Sequence, residues 1–302
     1  MDLDSLKIAF VGMGEAGSAI VTGWGATRAH QIAAYDIKIG QPDTSAEITQ
    51  RCADLCIGCK TTVHEALHDA ALIFSTVTAD QAVDVAQTAA PSIKEGAYWC
   101  DLNSCAPSSK TEAADIIQMS GGRYVDVAVM SPVHPKLHRT PLLISGTWST
   151  AIAPLLDALD MDFRIVDGPV GRASSIKMVR SIMVKGLEAL TAECTLAAIA
   201  AGVADDVLPS LQNGHPKLDV EARAIYNFER SLVHGARRAA EMDEVAKMLS
   251  DLGLPGHMSE ASALWQRKIA EISQDIATSE IESRLAFFAD ALLPGLQSTG
   301  SK

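Results

Sequence analysis

The chain has 302 residues, 48% of them hydrophobic and 21% charged, enough apolar material for two packed domains and too much for a disordered chain. Its formal net charge of −12 argues against a nucleic-acid partner, which needs a basic face. The opening MDLDSLKIAFVGMG lacks the pattern of a signal peptide, and no apolar run of about 18 residues escapes charge or glycine breaks, so neither secretion nor a membrane span is expected.

In chain order, residues 7–11 read as a short apolar strand, 12–17 as a tight turn, 16–29 as a helix and 32–36 as a second strand. A polar stretch follows, then a weak strand near Leu55 and a helix over 63–69. Strands at 72–75 and 98–101 alternate with helices at 80–89 and 107–119, Pro107 sitting where a helix begins. Further strands are expected at 124–129, 142–145 and 163–166, with a helix over 151–159. This alternation predicts an α/β fold, a doubly wound, Rossmann-type parallel sheet.

The pattern turns helical at Asp167-Gly168-Pro169. Residues 173–201 read as one helix of about 45 Å, long enough to be a spine between domains. Helices are then expected over 220–234, 237–252, 259–273 and 279–292, with a frayed tail from Pro294. The expected domains are 1–168 for dinucleotide binding and an all-helical 169–302 for substrate binding and dimerisation.

Six cysteines without a secretory signal fit a reducing, cytoplasmic setting. Cys52, Cys56 and Cys59 have the spacing C-x3-C-x2-C, with His64 nearby as a fourth donor. Residues 54–57 read as a strand, however, which turns neighbouring side chains to opposite faces, so no metal is expected.

Gly12-Met13-Gly14-Glu15-Ala16-Gly17 is G-x-G-x-x-G between a strand and a helix. In that context Gly12 permits the turn, Gly14 lets a pyrophosphate approach the backbone, and Gly17 lets helix and strand pack closely. The helix N-terminus offers free amides to phosphate. Asp36, at the end of the second strand, is placed to accept the ribose hydroxyls of NAD and to repel the 2′-phosphate of NADP, although Lys38 lies two residues on. Thr76 and Val77, after the strand at 72–75, and Asn103 complete the expected cofactor contacts.

Several segments together resemble the β-hydroxyacid dehydrogenases, the family of 3-hydroxyisobutyrate dehydrogenase, tartronate semialdehyde reductase and 6-phosphogluconate dehydrogenase. Asp101-Leu102-Asn103-Ser104-Cys105-Ala106-Pro107 resembles the substrate segment D-x-S-T-x-x-P, with Asn103 and Ser104 in the hydroxyl positions. A helix N-cap is the plainer reading of that pair. Asp126-Val127-Ala128-Val129-Met130-Ser131-Pro132 stands where the family has D-A-P-V-S-G-G. Pro132 has no amide hydrogen to offer, so Ser131, His134 and Lys136 become the expected substrate contacts in that loop, with His138 and Arg139 beyond them.

Gly171-Arg172-Ala173-Ser174-Ser175-Ile176-Lys177-Met178-Val179-Arg180-Ser181 is similar to the catalytic segment G-x-G-x-x-x-K-x-x-x-N. The resemblance implies that Lys177 is the general acid–base, with Ser104 and Ser181 orienting the reacting oxygen and the lysine. Independently, the apolar turns Ile182-Met183-Val184 and Leu187 predict a largely buried helix, in which a lysine needs a task or a partner. The segment from His234 to Met242 lies near the family's K-D-L segment, and Arg237 is a further expected substrate contact. The chain resembles a divergent bacterial subgroup whose C-terminal domain has no assigned function.

The resemblance implies NAD as cofactor, hydride exchange with a small anionic hydroxy acid, and a homodimer formed by the C-terminal helices. Oxidative decarboxylation, imine reduction and a noncatalytic NAD-binding scaffold are the rival readings. Val184 occupies the decarboxylating branch's acid position, and the imine-reducing branch usually lacks the lysine.

Overall fold

In the computed structural model of the protein, the described residues are 3–212, 219–272 and 284–297. It divides into two compact units, Met1–Met178 and Val179–Lys302.

The first unit is built on an eight-stranded sheet. Its strands are β1 (Ile8–Val11), β2 (Ile32–Tyr35), β3 (Gly58–Cys59), β4 (Leu72–Ser75), β5 (Tyr98–Asp101), β6 (Arg123–Val129), β7 (Leu142–Ser145) and β8 (Phe163–Ile165). The order is β3-β2-β1-β4-β5-β6-β7-β8. Ile8 pairs in parallel with Ile32 on one side and with Leu72 on the other. The chain therefore winds outward both ways from β1, and the crevice beyond the carboxyl ends of β1 and β4 is the topological switch point where open sheets bind ligands. The expected Rossmann-type sheet is present with one departure: β7 runs antiparallel to β6, with Asp126 opposite Ser145.

Helices cover both faces of the sheet, so β1, β4, β5 and β7 are buried at every position, as expected for strands without a wet side. They are α1 (Glu15–Trp24), α2 (Ala26–Ala29), α3 (Pro42–Asp54), α4 (Val63–Leu67), α5 (Ala82–Ala89), α6 (Pro107–Met119) and α7 (Ser149–Ala158). On one face Phe10 stacks on Phe74 at 5.1 Å, and Trp24 of α1 closes the group at 5.7 Å from Phe74. On the other face Trp99 and Tyr124 are fully buried with Ala113 and Ile117 of α6.

Three expectations in this unit need correction. The helix expected over 16–29 breaks at Gly25, whose φ of +67° is left-handed and ends α1. The polar stretch after β2 is helical: a short 3-10 turn leads into α3, with Pro42 opening it and Ile48 and Cys52 buried on its inner face. The strand expected at 54–57 is instead the end of α3 and a turn, in which Cys56 has a φ of +57°, and β3 follows at Gly58. Burial and the neighbouring Cys59 thiol push Cys52 up to about 12. Among the described residues, no group of three or more His, Cys, Asp or Glu side chains is arranged to hold a metal ion.

The long helix α8 (Arg172–Ala200) runs through the division between the units. The second unit continues with α9 (Ala204–Gln212), α10 (Val220–Asp251), α11 (His257–Ile272) and α12 (Leu285–Gln297). Its core joins Leu196, Phe228, Leu232, Ile269, Phe288 and Leu292, with Phe228 stacked on Phe288 at 5.4 Å.

Here too the helix boundaries differ from expectation. α9 was not expected. The two helices expected over 220–234 and 237–252 are one, α10. Gly235 does not end it: a Cβ there would lie 2.8 Å from the Gln266 carbonyl oxygen and 3.1 Å from the Ala270 Cβ, so the glycine lets α11 approach. Pro294 lies inside α12 rather than in a frayed tail. Residues 273–283, which hold the last residue of the expected 259–273 helix and the start of the expected 279–292 helix, lie outside the described residues.

The apolar turns of α8 are not buried as expected. Met183 is 65% exposed and Leu190 58%, with Val179, Val184 and Leu187 also exposed, whereas Ser181, Lys185 and Glu188 are buried. The polar stripe faces inward because it has partners there. Lys185 pairs with Glu241 at 2.7 Å, and Glu188 accepts from Arg238. Burial pulls the Lys185 ammonium below the usual lysine range, although Glu241 opposes the shift. Among the described residues, no helix is long and apolar enough to cross a membrane.

Candidate active site

The glycine loop lies at the switch point. Gly12 has a φ of +93°, and a Cβ there would fall 2.6 Å from the Thr76 carbonyl oxygen. Gly17 is confined as well, its Cβ position 2.9 Å from the Gly12 carbonyl oxygen. Thr76 donates from Oγ1 to the same carbonyl at 2.6 Å, and Val77 packs beside it. Thr76 and Val77 thus brace the loop from β4. Gly14 differs: nothing lies within 4 Å of its Cβ position. That open cradle sits directly before Glu15 and Ala16, the first residues of α1, where unpaired helix amides favour an anion. The loop therefore fits a dinucleotide pyrophosphate.

Asp36 lies just past β2. It accepts the Met13 amide at 2.8 Å and the Lys38 amide at 3.0 Å, tying the glycine loop to the turn after β2. Arg51 of α3, which sequence reasoning missed, donates to the Met13 carbonyl at 2.6 Å. It is 38 residues away from Met13, and nothing local in the sequence signals that contact.

Past β5, Asn103 is buried. Its amide N–H donates to Asp101 at 2.9 Å and its Nδ2 to Ser75 at 2.9 Å, while its Oδ1 is a buried acceptor without a partner. Neither Asn103 nor Ser104 caps the following helix; that position falls to Ala106, which has no side-chain cap.

Lys177, in the second turn of α8, donates from Nζ to the Ser104 hydroxyl. The two residues are 73 apart in sequence and both are half-buried. The start of α8 is fixed by Gly171, whose φ is +93° and whose Cβ position is 3.1 Å from Pro107. Ser181, one turn beyond Lys177, is buried and accepts from Lys185 at 3.4 Å.

The loop after β6 is partly structural. His138 packs on α1 at Gly23, where a Cβ would meet its Nδ1 at 2.1 Å. Arg139 pairs with Asp160 and holds that carboxyl below the usual range, with His138 assisting. His134 and Lys136 are exposed, and the Ser131 hydroxyl donates to the Pro132 carbonyl at 3.3 Å. On α10, Arg237 is exposed, while its neighbour Arg238 is buried against Glu188.

Residues 7–160 match the NAD binding domain of 6-phosphogluconate dehydrogenase, and residues 198–269 match a domain of unknown function, DUF1932. A crystal structure of a conserved hypothetical protein from Sinorhizobium meliloti is 34% identical, covers 96% of this chain and 97% of its own, and superposes with a TM-score of 0.72. The conserved protein MTH1747, described as structurally similar to 3-hydroxyacid dehydrogenases, is 25% identical over 88% of this chain and 97% of its own, with a TM-score of 0.65. The 3-hydroxyisobutyrate dehydrogenase of Mycobacterium tuberculosis, solved with L-serine, shares the fold at 14% identity, covering 96% of this chain and 98% of its own, with a TM-score of 0.69.

Proposed function

The chain belongs to the β-hydroxyacid dehydrogenase superfamily, and on that premise we propose that it exchanges a hydride between NAD and a small anionic hydroxy acid, with Lys177 as general acid–base. The observation that carries this reading is the hydrogen bond from Lys177 to Ser104, at the carboxyl end of the sheet that also presents the dinucleotide cradle. A bound nicotinamide dinucleotide supplies the hydride acceptor or donor.

The chain's own residues handle the proton. In oxidation, neutral Lys177 takes the hydroxyl proton of the substrate; in reduction, its ammonium returns a proton to the carbonyl oxygen. Ser104 holds the reacting oxygen and Nζ within hydrogen-bond reach of one another. The unpartnered Oδ1 of Asn103 accepts from an amide or hydroxyl of the bound molecules, since a buried acceptor without a partner is costly. Ser181 steadies the lysine's turn of α8. His134, Lys136 and Arg237 supply positive charge for the substrate carboxylate, and Ser131 a polar contact. Residues 1–168 are assigned to the dinucleotide and 169–302 to substrate and dimer contacts, in a cytoplasmic homodimer.

Cofactor preference follows from Asp36, whose carboxylate disfavours a 2′-phosphate, so NAD is proposed over NADP. Lys38 and Arg51 are the opposing charges.

Lys177→Ala tests the reading. Across a panel of hydroxy acids, kcat should fall about 100-fold or more while NADH affinity stays within twofold. Near-normal turnover in the variant would remove Lys177 from the mechanism. A parent protein that binds NADH and turns over no member of the panel would favour the scaffold reading.

A further inference from the structure

Behind Ser104 and Lys177 lies a fully buried charge cluster that the proposed chemistry does not use. Lys110 of α6, Asp101 at the end of β5 and Asp126 of β6 are each 0% exposed. Lys110 Nζ donates to the Asp101 carbonyl oxygen at 2.6 Å and to its Oδ1 at 2.8 Å, and lies 3.7 Å from Asp126 Oδ1. Burial opposes its charge, but Asp101 and Asp126 outweigh that and hold the ammonium protonated above the ordinary lysine range. A buried charge of this kind is retained only with good partners.

Each carboxylate holds one half of the candidate site. Asp101 accepts the Asn103 amide at 2.9 Å, setting the turn that presents Ser104, and Tyr124 donates to its other oxygen at 2.6 Å. Asp126 caps α8. Its Oδ2 accepts the amides of Gly171 at 3.0 Å and Ser174 at 3.2 Å, and its Oδ1 accepts the Ser174 hydroxyl at 2.6 Å. Ser145 donates to Asp126 at 2.9 Å and accepts the Ala173 amide at 3.0 Å. A carboxylate set against free helix amides also complements the helix dipole. Lys177 stands one turn beyond this cap.

We propose that Lys110 is a positioning residue: by bridging Asp101 and Asp126 it holds the Ser104 turn and the first turn of α8 in the register that brings Lys177 onto Ser104. The inference rests on the function proposed above but makes a separate claim about geometry. Without the ammonium, two carboxylates would face each other in a dry interior, and like charges there separate or take up a proton. Separation frees the Asn103 turn from the α8 cap, and a proton taken up leaves one carboxyl a weaker acceptor for the amides it holds.

The test reads Lys177 directly. Reductive 13C-methylation makes the lysines visible by NMR, and the Lys177 signal is identified by its absence in Lys177→Arg. Ser104→Ala gives the signal expected when the contact is lost. In Lys110→Met, the Lys177 signal should move onto that of Ser104→Ala, with NADH affinity by fluorescence titration within twofold of the parent. Lys110→Met/Asp101→Asn removes the bridge with its charge balanced and guards against misfolding; the same movement is expected. A folded variant of either kind whose Lys177 signal is unchanged would overturn the proposal, even if its melting temperature falls, because lowered stability alone is what a merely structural ion pair gives. This outcome is independent of Lys177→Ala turnover, so the positioning role and the acid–base role fail separately.

Discussion

Replacing Gly14 by alanine separates the dinucleotide cradle from the fold that carries it. Gly14 has φ −78° and ψ −156°, extended backbone open to any residue, and its added methyl group meets nothing within 4 Å. The folded chain therefore incurs no strain, while the unfolded chain loses freedom, which stabilises by about 0.4–1 kcal/mol. For a unit of this size the melting temperature should hold or rise by roughly 1–4 °C. Dinucleotide binding should behave oppositely, because the methyl group occupies the approach kept open for pyrophosphate. Losing one charge-assisted amide–phosphate hydrogen bond, about 1.5–3 kcal/mol, weakens NADH binding about 10- to 100-fold. Gly12→Ala is the contrasting control: at φ +93° and 2.6 Å from the Thr76 oxygen, it should destabilise the unit itself. Thermal melts and NADH fluorescence titrations read both quantities. An intact Gly14→Ala fold with unchanged NADH affinity would refute the assignment of the loop to pyrophosphate.

Asp36 should make NADH bind about tenfold or more tighter than NADPH; equal affinities in parallel titrations would mean that Lys38 and Arg51 offset the carboxylate. Gly235→Ala should destabilise the helical unit by about 1–3 kcal/mol in urea unfolding, since the methyl group must push α11 away. A change below about 0.5 kcal/mol would mean that the α10–α11 contact is looser than described. The exposed apolar stripe of α8, Met183 and Leu187 included, supports a homodimer, so light scattering should give twice the chain mass at micromolar concentration and Met183→Glu/Leu187→Glu should lower it. A parent protein that scatters as a monomer would contradict the proposal.

The sequence by itself determined the elements whose signals are local. The strands at 72–75, 98–101 and 142–145 coincide with β4, β5 and β7 because each is a short apolar run. The glycine fingerprint was legible as a pattern of a few residues with a known physical use, whereas Lys177 was singled out through the family resemblance. The misreadings occurred where a local signal had a second meaning. The break expected between 220–234 and 237–252 falls on Gly235, which is instead a close approach between helices, and residues 54–57, expected as a strand, are the end of a helix and a turn.

Tertiary structure alone decided which face of α8 turns inward. By hydrophobicity its apolar turns belong inside, yet the buried stripe is Ser181, Lys185 and Glu188, because Glu241 and Arg238 wait for it 50 or more residues along the chain. The Lys110 cluster was equally hidden: Asp126 reaches Gly171 and Ser174 across 45 and 48 residues, contacts that no periodicity encodes. Hydrophobic patterning reports how much surface an element must bury. Which charges find partners there depends on the packing of segments distant in sequence, and so does the meeting of Lys177 with Ser104.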